Sequence, residues 1–170
     1  MLSRFGLPMM VPLCALFAGC LHQAISKPED LSSSHDQVKS FVVQRPFDEV
    51  HALVSRTAAK CYTKVSSGTA MPAGKSYVTT GTGIHRDIDD RLLDPGKSAI
   101  VAVVVRGGPP PFGPEDYFLR ADIKSVGPNE TEVTTYNAKP VKAQRAFHQQ
   151  VHHWAVDEIE DCSGTGPFDR

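Results

Sequence analysis

The sequence predicts an α+β domain, in which an antiparallel sheet of about five strands carries an N-terminal helix and a long C-terminal helix packed on it. Three observations point there. An apolar period of 3.6 residues runs through residues 50–61, the period shortens to 2 through the middle of the chain, and 3.6 returns over residues 147–162. The chain has 170 residues. The patterned part, residues 38–162, has the size of a single domain and is long enough to bury a genuine core.

Taken in order, residues 20–37 are polar and rich in serine, with Pro28 and no sustained period, and read as a flexible tether. A coil of that length has a typical reach of about 20–25 Å. Phe41, Val42 and Val43 suggest a first strand. Pro46 with Asp48 and Glu49 then opens a helix, because proline and acids both suit a first turn. Val50, Leu53, Val54, Thr57, Ala58 and Cys61 follow at i, i+3, i+4 and i+7, the apolar stripe of an amphipathic helix.

After a loop rich in glycine and serine at residues 66–74, strands are expected over residues 77–84, 86–93, 99–105, 117–126 and 131–136. Asp94-Pro95-Gly96 is a turn signal, and so is Gly127-Pro128-Asn129. Residues 99–105 are apolar on both faces and read as a central strand. In the next strand Leu119, Ala121 and Ile123 alternate with Arg120, Asp122 and Lys124, so one face is buried and the other is polar. The closing helix is expected over residues 141–162, with Phe147, Val151, Trp154, Ala155, Ile159 and Cys162 on one stripe, lying across the sheet. Residues 163–170 carry two glycines and a proline and read as a frayed tail.

The start of the chain has a different character. Arg4 precedes an apolar run over residues 5–17, which closes on Ala18, Gly19 and Cys20. This is the pattern of a secretion signal, here residues 1–19. The run is too short for the roughly 20 residues of a bilayer span and contains Pro8 and Pro12. Leu16-Phe17-Ala18-Gly19-Cys20 resembles the lipobox of bacterial lipoproteins, although Phe17 stands where an aliphatic residue is usual. The resemblance implies cleavage before Cys20 and acylation of that residue, and two or three chains anchor stably because each buried methylene contributes about 0.8 kcal/mol. It also implies sorting to the periplasmic side of the outer membrane, since Leu21, and not aspartate, follows the cysteine. The alternative is an ordinary cleaved signal that releases a soluble periplasmic protein.

With Cys14 in the signal and Cys20 acylated, the folded domain keeps Cys61 and Cys162. Export to an oxidising compartment invites their pairing, and each sits near the end of an expected helix in register with its apolar face. The bridge would close a loop of about 100 residues, for which the chain-entropy model gives about 4.7 kcal/mol as an upper figure. Two buried free thiols are the alternative.

The order strand, helix, four or five antiparallel strands and a terminal helix resembles a helix-grip domain of the START-like kind. Such domains occur in the lipoprotein subunit of the outer-membrane barrel-assembly machine. The lipobox, the helix ending Lys60-Cys61-Tyr62, and the terminal helix with Trp154 ending Asp161-Cys162 together resemble small proteobacterial lipoproteins of uncharacterised function.

Charge excludes some partners. Eighteen basic and nineteen acidic residues are interspersed to a formal net charge of −1, so no basic face points to nucleic acid. His148 and His152 have the i, i+4 spacing of metal ligands, and His51 could add a third. His51 and His152 each precede their cysteine by ten residues. In a parallel helix pair joined by the bridge they would fall on opposite sides, which disfavours a shared metal, and no metal site is expected. His153 and Asp157 suit an exposed i, i+4 pair. Asp87, Asp89, Asp90 and Asp94 lack the glycine and distal glutamate of a calcium loop. The stretch Gly81-Thr82-Gly83-Ile84-His85-Arg86 imitates half of a dinucleotide loop but lacks its last glycine and opens no helix, so no cofactor is expected. There is no G-x-S-x-G elbow and no C-x-x-C pair, and the chain is not expected to be an enzyme.

The segment Gly107-Gly108-Pro109-Pro110-Pro111-Phe112-Gly113-Pro114 is a stiff connection between two strands, with Pro110, Pro111 and Phe112 as the candidate contact loop; the alternative is a plain long hairpin connection. The expected function is thus a lipid-anchored, non-catalytic interaction module that meets another envelope protein. The alternative is a carrier or sensor of a small apolar ligand in a cleft between the C-terminal helix and the sheet.

Overall fold

Residues 99–104 are all buried in the computed structural model, and the sheet is built outward from the strand that contains them. The structure describes residues 24–32, 38–66, 70–73, 76–79, 84–107, 115–138 and 142–162. In chain order these form a 3₁₀ turn at Pro28–Ser32, β1 (Val38–Val43), α1 (Phe47–Tyr62), β2 (Lys64–Ser66), β3 (Ala70–Ala73), β4 (Ser76–Thr79), β5 (Ile84–Asp94), β6 (Ser98–Arg106), β7 (Glu115–Gly127), β8 (Glu130–Asn137) and α2 (Lys142–Asp157). The main sheet has the order β1-β8-β7-β6-β5-β2 with every pair antiparallel, and β3 with β4 forms a separate two-stranded ribbon. The fold class is α+β: an antiparallel sheet with two helices.

Alternation divides the sheet into two faces. Val43, Ala99, Val101, Val103, Leu119, Ala121, Ile123 and Val133 meet both helices in one core, where Val50, Val54 and Ala58 of α1 and Phe147, Val151, Trp154 and Ala155 of α2 are buried. Ile100, Ala102, Val104 and Tyr117 point the other way. A bulge between Val103 and Val104 explains why Tyr117 and Leu119, two residues apart, lie on opposite faces: Leu119 is opposite Val103, Tyr117 is opposite Val104, and Phe118 is the extra residue. The turn at residues 94–97 closes with the Lys97 N–H on the Asp94 carbonyl at 2.9 Å, and Gly96 has φ +72°, so Pro95-Gly96 makes the type II turn that its sequence favours.

Several expectations are corrected. The strand expected at 77–84 is not one element, because residues 76–79 pair with β3, Ile84 begins β5, and residues 80–83 lie outside the described ones. The closing helix ends at Asp157 and not at Cys162. Glu158 takes a left-handed φ of 57°, the Ile159 N–H bonds to the His153 carbonyl at 3.3 Å, and residues 158–162 turn back along α1. The two helices also run antiparallel and not parallel. Tyr62 at the end of α1 meets Phe147 and Gln150 in the first half of α2, whereas Arg45, ahead of α1, pairs with Glu158, beyond α2. Finally, part of the expected tether is packed. Leu31 is fully buried in a second apolar cluster with Ile100, Ala102, Val104 and Tyr117, because the sheet's other face offers it an apolar seat.

Candidate functional site

Residues 24–32 dock on the face of the sheet opposite the helices, and the contacts there are specific. The Tyr117 N–H donates to the Ile25 carbonyl at 2.9 Å, while the Ile25 N–H donates to Asp116 Oδ1 at 2.8 Å. Arg120 Nη1 donates to the Pro28 carbonyl at 3.0 Å, and the Glu29 carboxylate lies 3.6 Å from Arg91. The chain thus enters at the end of the sheet where β7 begins, crosses toward Arg120, and seats Leu31.

Around this segment the charged side chains hold one another. The Tyr117 hydroxyl donates to Asp89 at 2.7 Å and accepts from Arg91 at 3.2 Å. Burial and the Asp89 carboxylate push that phenol up to about 12. Burial works to raise the Asp89 carboxyl, but hydrogen bonds from Arg91 and Tyr117 outweigh it and hold the group below its ordinary value. Arg106 bridges Asp87 at 2.6 Å and Glu115 at 3.0 Å. Arg120 forks onto Asp122 and lies 4.9 Å from the Tyr136 ring centroid, yet burial keeps the Asp122 carboxyl above its ordinary value.

The aspartates considered for calcium are divided between faces. Asp87 and Asp89 hold the arginines of the open face, whereas Asp90 accepts from Ser55 and lies 2.8 Å from His51 Nε2 on the helix side. Asp94 pairs with Lys97. The three histidines are not brought together. His51 reaches β5, while His148 and His152 pack on Phe41 of β1 with ring centroids at 5.6 and 4.9 Å, at the opposite side of the strand order. His148 Nδ1 lies 3.0 Å from Thr135 Oγ1. Burial, with Lys39 and His152 nearby, lowers its affinity for a proton. His153 makes the expected pair with Asp157 at 2.8 Å. Among the described residues no group of three or more potential ligands is placed to hold a metal.

Cys61 and Cys162 are bridged, with an S–S distance of 2.11 Å and Cα atoms 5.2 Å apart. Cys162 reaches this position from the reversed tail and not from a helix. Trp154 Nε1 donates to the Asp161 carbonyl at 3.0 Å, Lys60 Nζ donates to the Glu160 carbonyl at 2.9 Å, and Arg56 holds the Glu160 carboxylate at 2.5 Å.

Cys20 and the loop residues Pro110, Pro111 and Phe112 lie outside the described residues, as do residues 81–83 of the glycine stretch. The two strand ends that flank the loop are described, and Arg106 and Glu115 pair across them. Sequence reasoning missed Ile25, Leu31, Asp116 and Arg120. The one signal for them was Ile25 and Leu31 as isolated apolar residues on either side of Pro28.

No helix among the described residues is long and apolar enough to cross a membrane. Neither a family model nor a curated protein matches the chain. Among solved structures, it is similar to a conserved protein from Geobacillus kaustophilus, with 14% identity over 69% of this chain and 85% of that one and a TM-score of 0.31. A likeness of that size carries no functional argument.

Proposed function

We propose that this chain is a periplasmic lipoprotein of the outer membrane, anchored through acyl chains on Cys20, whose domain is a non-catalytic interaction module of the cell envelope. The lipobox-like run at residues 16–20 carries the reading, and Leu21 after the cysteine favours the outer membrane. The finer fold reading, a helix-grip domain, is supported by both helices lying on one face of the sheet. The character of a module is supported by how the titratable side chains are used. His51 with Asp90, Asp89 with Tyr117 and Arg91, and Arg106 with Asp87 and Glu115 join one element to another. The carrier alternative has less support, because Trp154, Phe147, Val151 and Tyr62 fill the space between helices and sheet.

The contact is assigned to the loop with Pro110, Pro111 and Phe112. A proline-restrained aromatic loses little conformational freedom on docking and buries roughly 150 Å² or more. Two measurements test the reading. Mass spectrometry of the mature N-terminus should find an acylated Cys20, and an unmodified chain starting elsewhere sinks the anchor. Crosslinking in living cells should lose a partner in Phe112→Ala, and an unchanged partner profile rules out the loop.

A further inference from the structure

We propose that the docked segment 24–32 makes the anchor a short leash, which holds the end of the sheet that carries Arg106, Glu115 and Tyr117 against the lipid surface. The inference rests on the acylation of Cys20 proposed above. It comes from counting chain: a flexible stretch as far as β1 would let the domain move clear of the headgroups, but the structure fixes the chain at Ile25. The Ile25 N–H and carbonyl are bonded to the Asp116 side chain and the Tyr117 N–H, and the turn behind them is held by Arg120 on the Pro28 carbonyl and by buried Leu31.

Residues 21–24 alone then separate the acylated cysteine from the dock. Even fully extended, the five steps from residue 20 to residue 25 span at most about 17 Å. The headgroup layer takes up roughly 5–7 Å of that span. The dock lies at one end of the strands: Asp116 and Tyr117 open β7, where they are paired with Val105 and Val104 near the end of β6, and His85 of β5 is in register with Arg106. The hairpin at residues 94–97 is at the other end of β5. At about 3.3 Å per residue these two ends are about 30 Å apart. The partner of the near end is therefore the bilayer surface. The described ends of β6 and β7, where Arg106 is in register with Glu115, lie at this same end.

The test uses the lipidated full chain, purified from membranes with its disulfide intact and reconstituted in phosphatidylethanolamine and phosphatidylglycerol vesicles. A fluorophore is attached in separate samples at His85→Cys and Lys97→Cys, both exposed positions. Lipids spin-labelled at the headgroup should quench most of the emission at position 85 and leave that at position 97 unchanged. Equal quenching at the two positions overturns the leash. A flexible glycine-serine insert between residues 22 and 23 should abolish the quenching at 85. If it persists, the end adheres to lipid by itself and the leash is wrong. Flotation of the same samples separates the two readings: a chain that does not float with the vesicles refutes the anchor, whereas one that floats and is quenched evenly refutes only the leash.

Discussion

Helices cover one face of the sheet with Trp154, Phe147, Tyr62 and Val50, all buried, whereas residues 24–32 cover part of the other with Leu31 and a set of backbone bonds to Asp116, Tyr117 and Arg120. The helix face is held by apolar area, which is non-directional and tolerant of where each group sits. The open face is held by a few directed bonds between charged side chains and backbone, each of small net worth. The first face is therefore expected to be the cooperative core, and the second a cover that opens locally before the domain unfolds.

The largest effect expected from this contrast is that of Trp154→Ala. It removes the largest fully buried side chain and the bond from Nε1 to the Asp161 carbonyl, and should cost about 3–5 kcal/mol in denaturant unfolding. A loss below about 1 kcal/mol would place the cooperative core elsewhere. Reducing the Cys61–Cys162 bridge, which spans 101 residues of sequence, should come next at about 2–5 kcal/mol. Comparing thermal midpoints with and without reductant checks this, and coincident midpoints would show that the tail's other contacts suffice.

Leu31→Ala should do less to global stability than a core leucine usually does. Truncation there removes a buried side chain, but the segment can undock while the sheet stays folded, so the global loss should stay under about 1 kcal/mol. Hydrogen exchange gives the sharper readout: the Ile25 and Tyr117 amides should lose protection while those along β6 and the rest of β7 keep theirs. A global loss of about 2 kcal/mol or more, typical of a leucine in a cooperative core, would erase the distinction between the faces.

What was legible in the sequence follows the same division. The alternation at residues 119–124, the doubly apolar run at 99–105 and the stripe of α1 were readable because burial against a broad apolar surface leaves a period. The cysteine pair was readable from the two cysteines left once Cys14 and Cys20 are set aside, whereas the argument from helix position holds for Cys61 and fails for Cys162, which stands in the reversed tail. The docked segment left no period, because its bonds run from backbone to Asp116 and Arg120, which in the sequence look like solvated positions of a half-buried strand. The reversed tail was misread for the opposite reason. Ile159 and Cys162 happen to continue the helical spacing of Trp154 and Ala155, and tertiary bonds to Lys60, Arg56 and Trp154 override it. The ribbon of β3 and β4 contains Pro72 and is short, which hides it from either period.

The smallest effect concerns His148, where the helix face meets the edge strand. It packs edge-on against Phe41, its Nδ1 is 3.0 Å from the Thr135 hydroxyl, and the titratable groups facing it are Lys39 of β1 and His152 of α2. Burial first, then these two neighbours, lowers its pKa below the ordinary 6.5 that it regains on unfolding. Between the two values the unfolded chain binds more protons than the folded one, so stability rises with pH through that window. The contribution is full above about 6.5 and is lost as the pH falls below it. The thermal midpoint should therefore drop modestly between pH 7.5 and pH 5.5, and His148→Gln, which keeps a polar group beside Thr135 but does not titrate, should flatten that drop. If the variant follows the same pH dependence as the parent, the sensitivity belongs to another group, with Asp89 on the opposite face excluded because its carboxyl is held below the ordinary carboxylate value, and Arg91 because its guanidinium is held above its own. A midpoint that rises on acidification would mean that His148 is stabilised in its charged form, and that this corner of the helix face is wetter and less tightly closed than the core beside it.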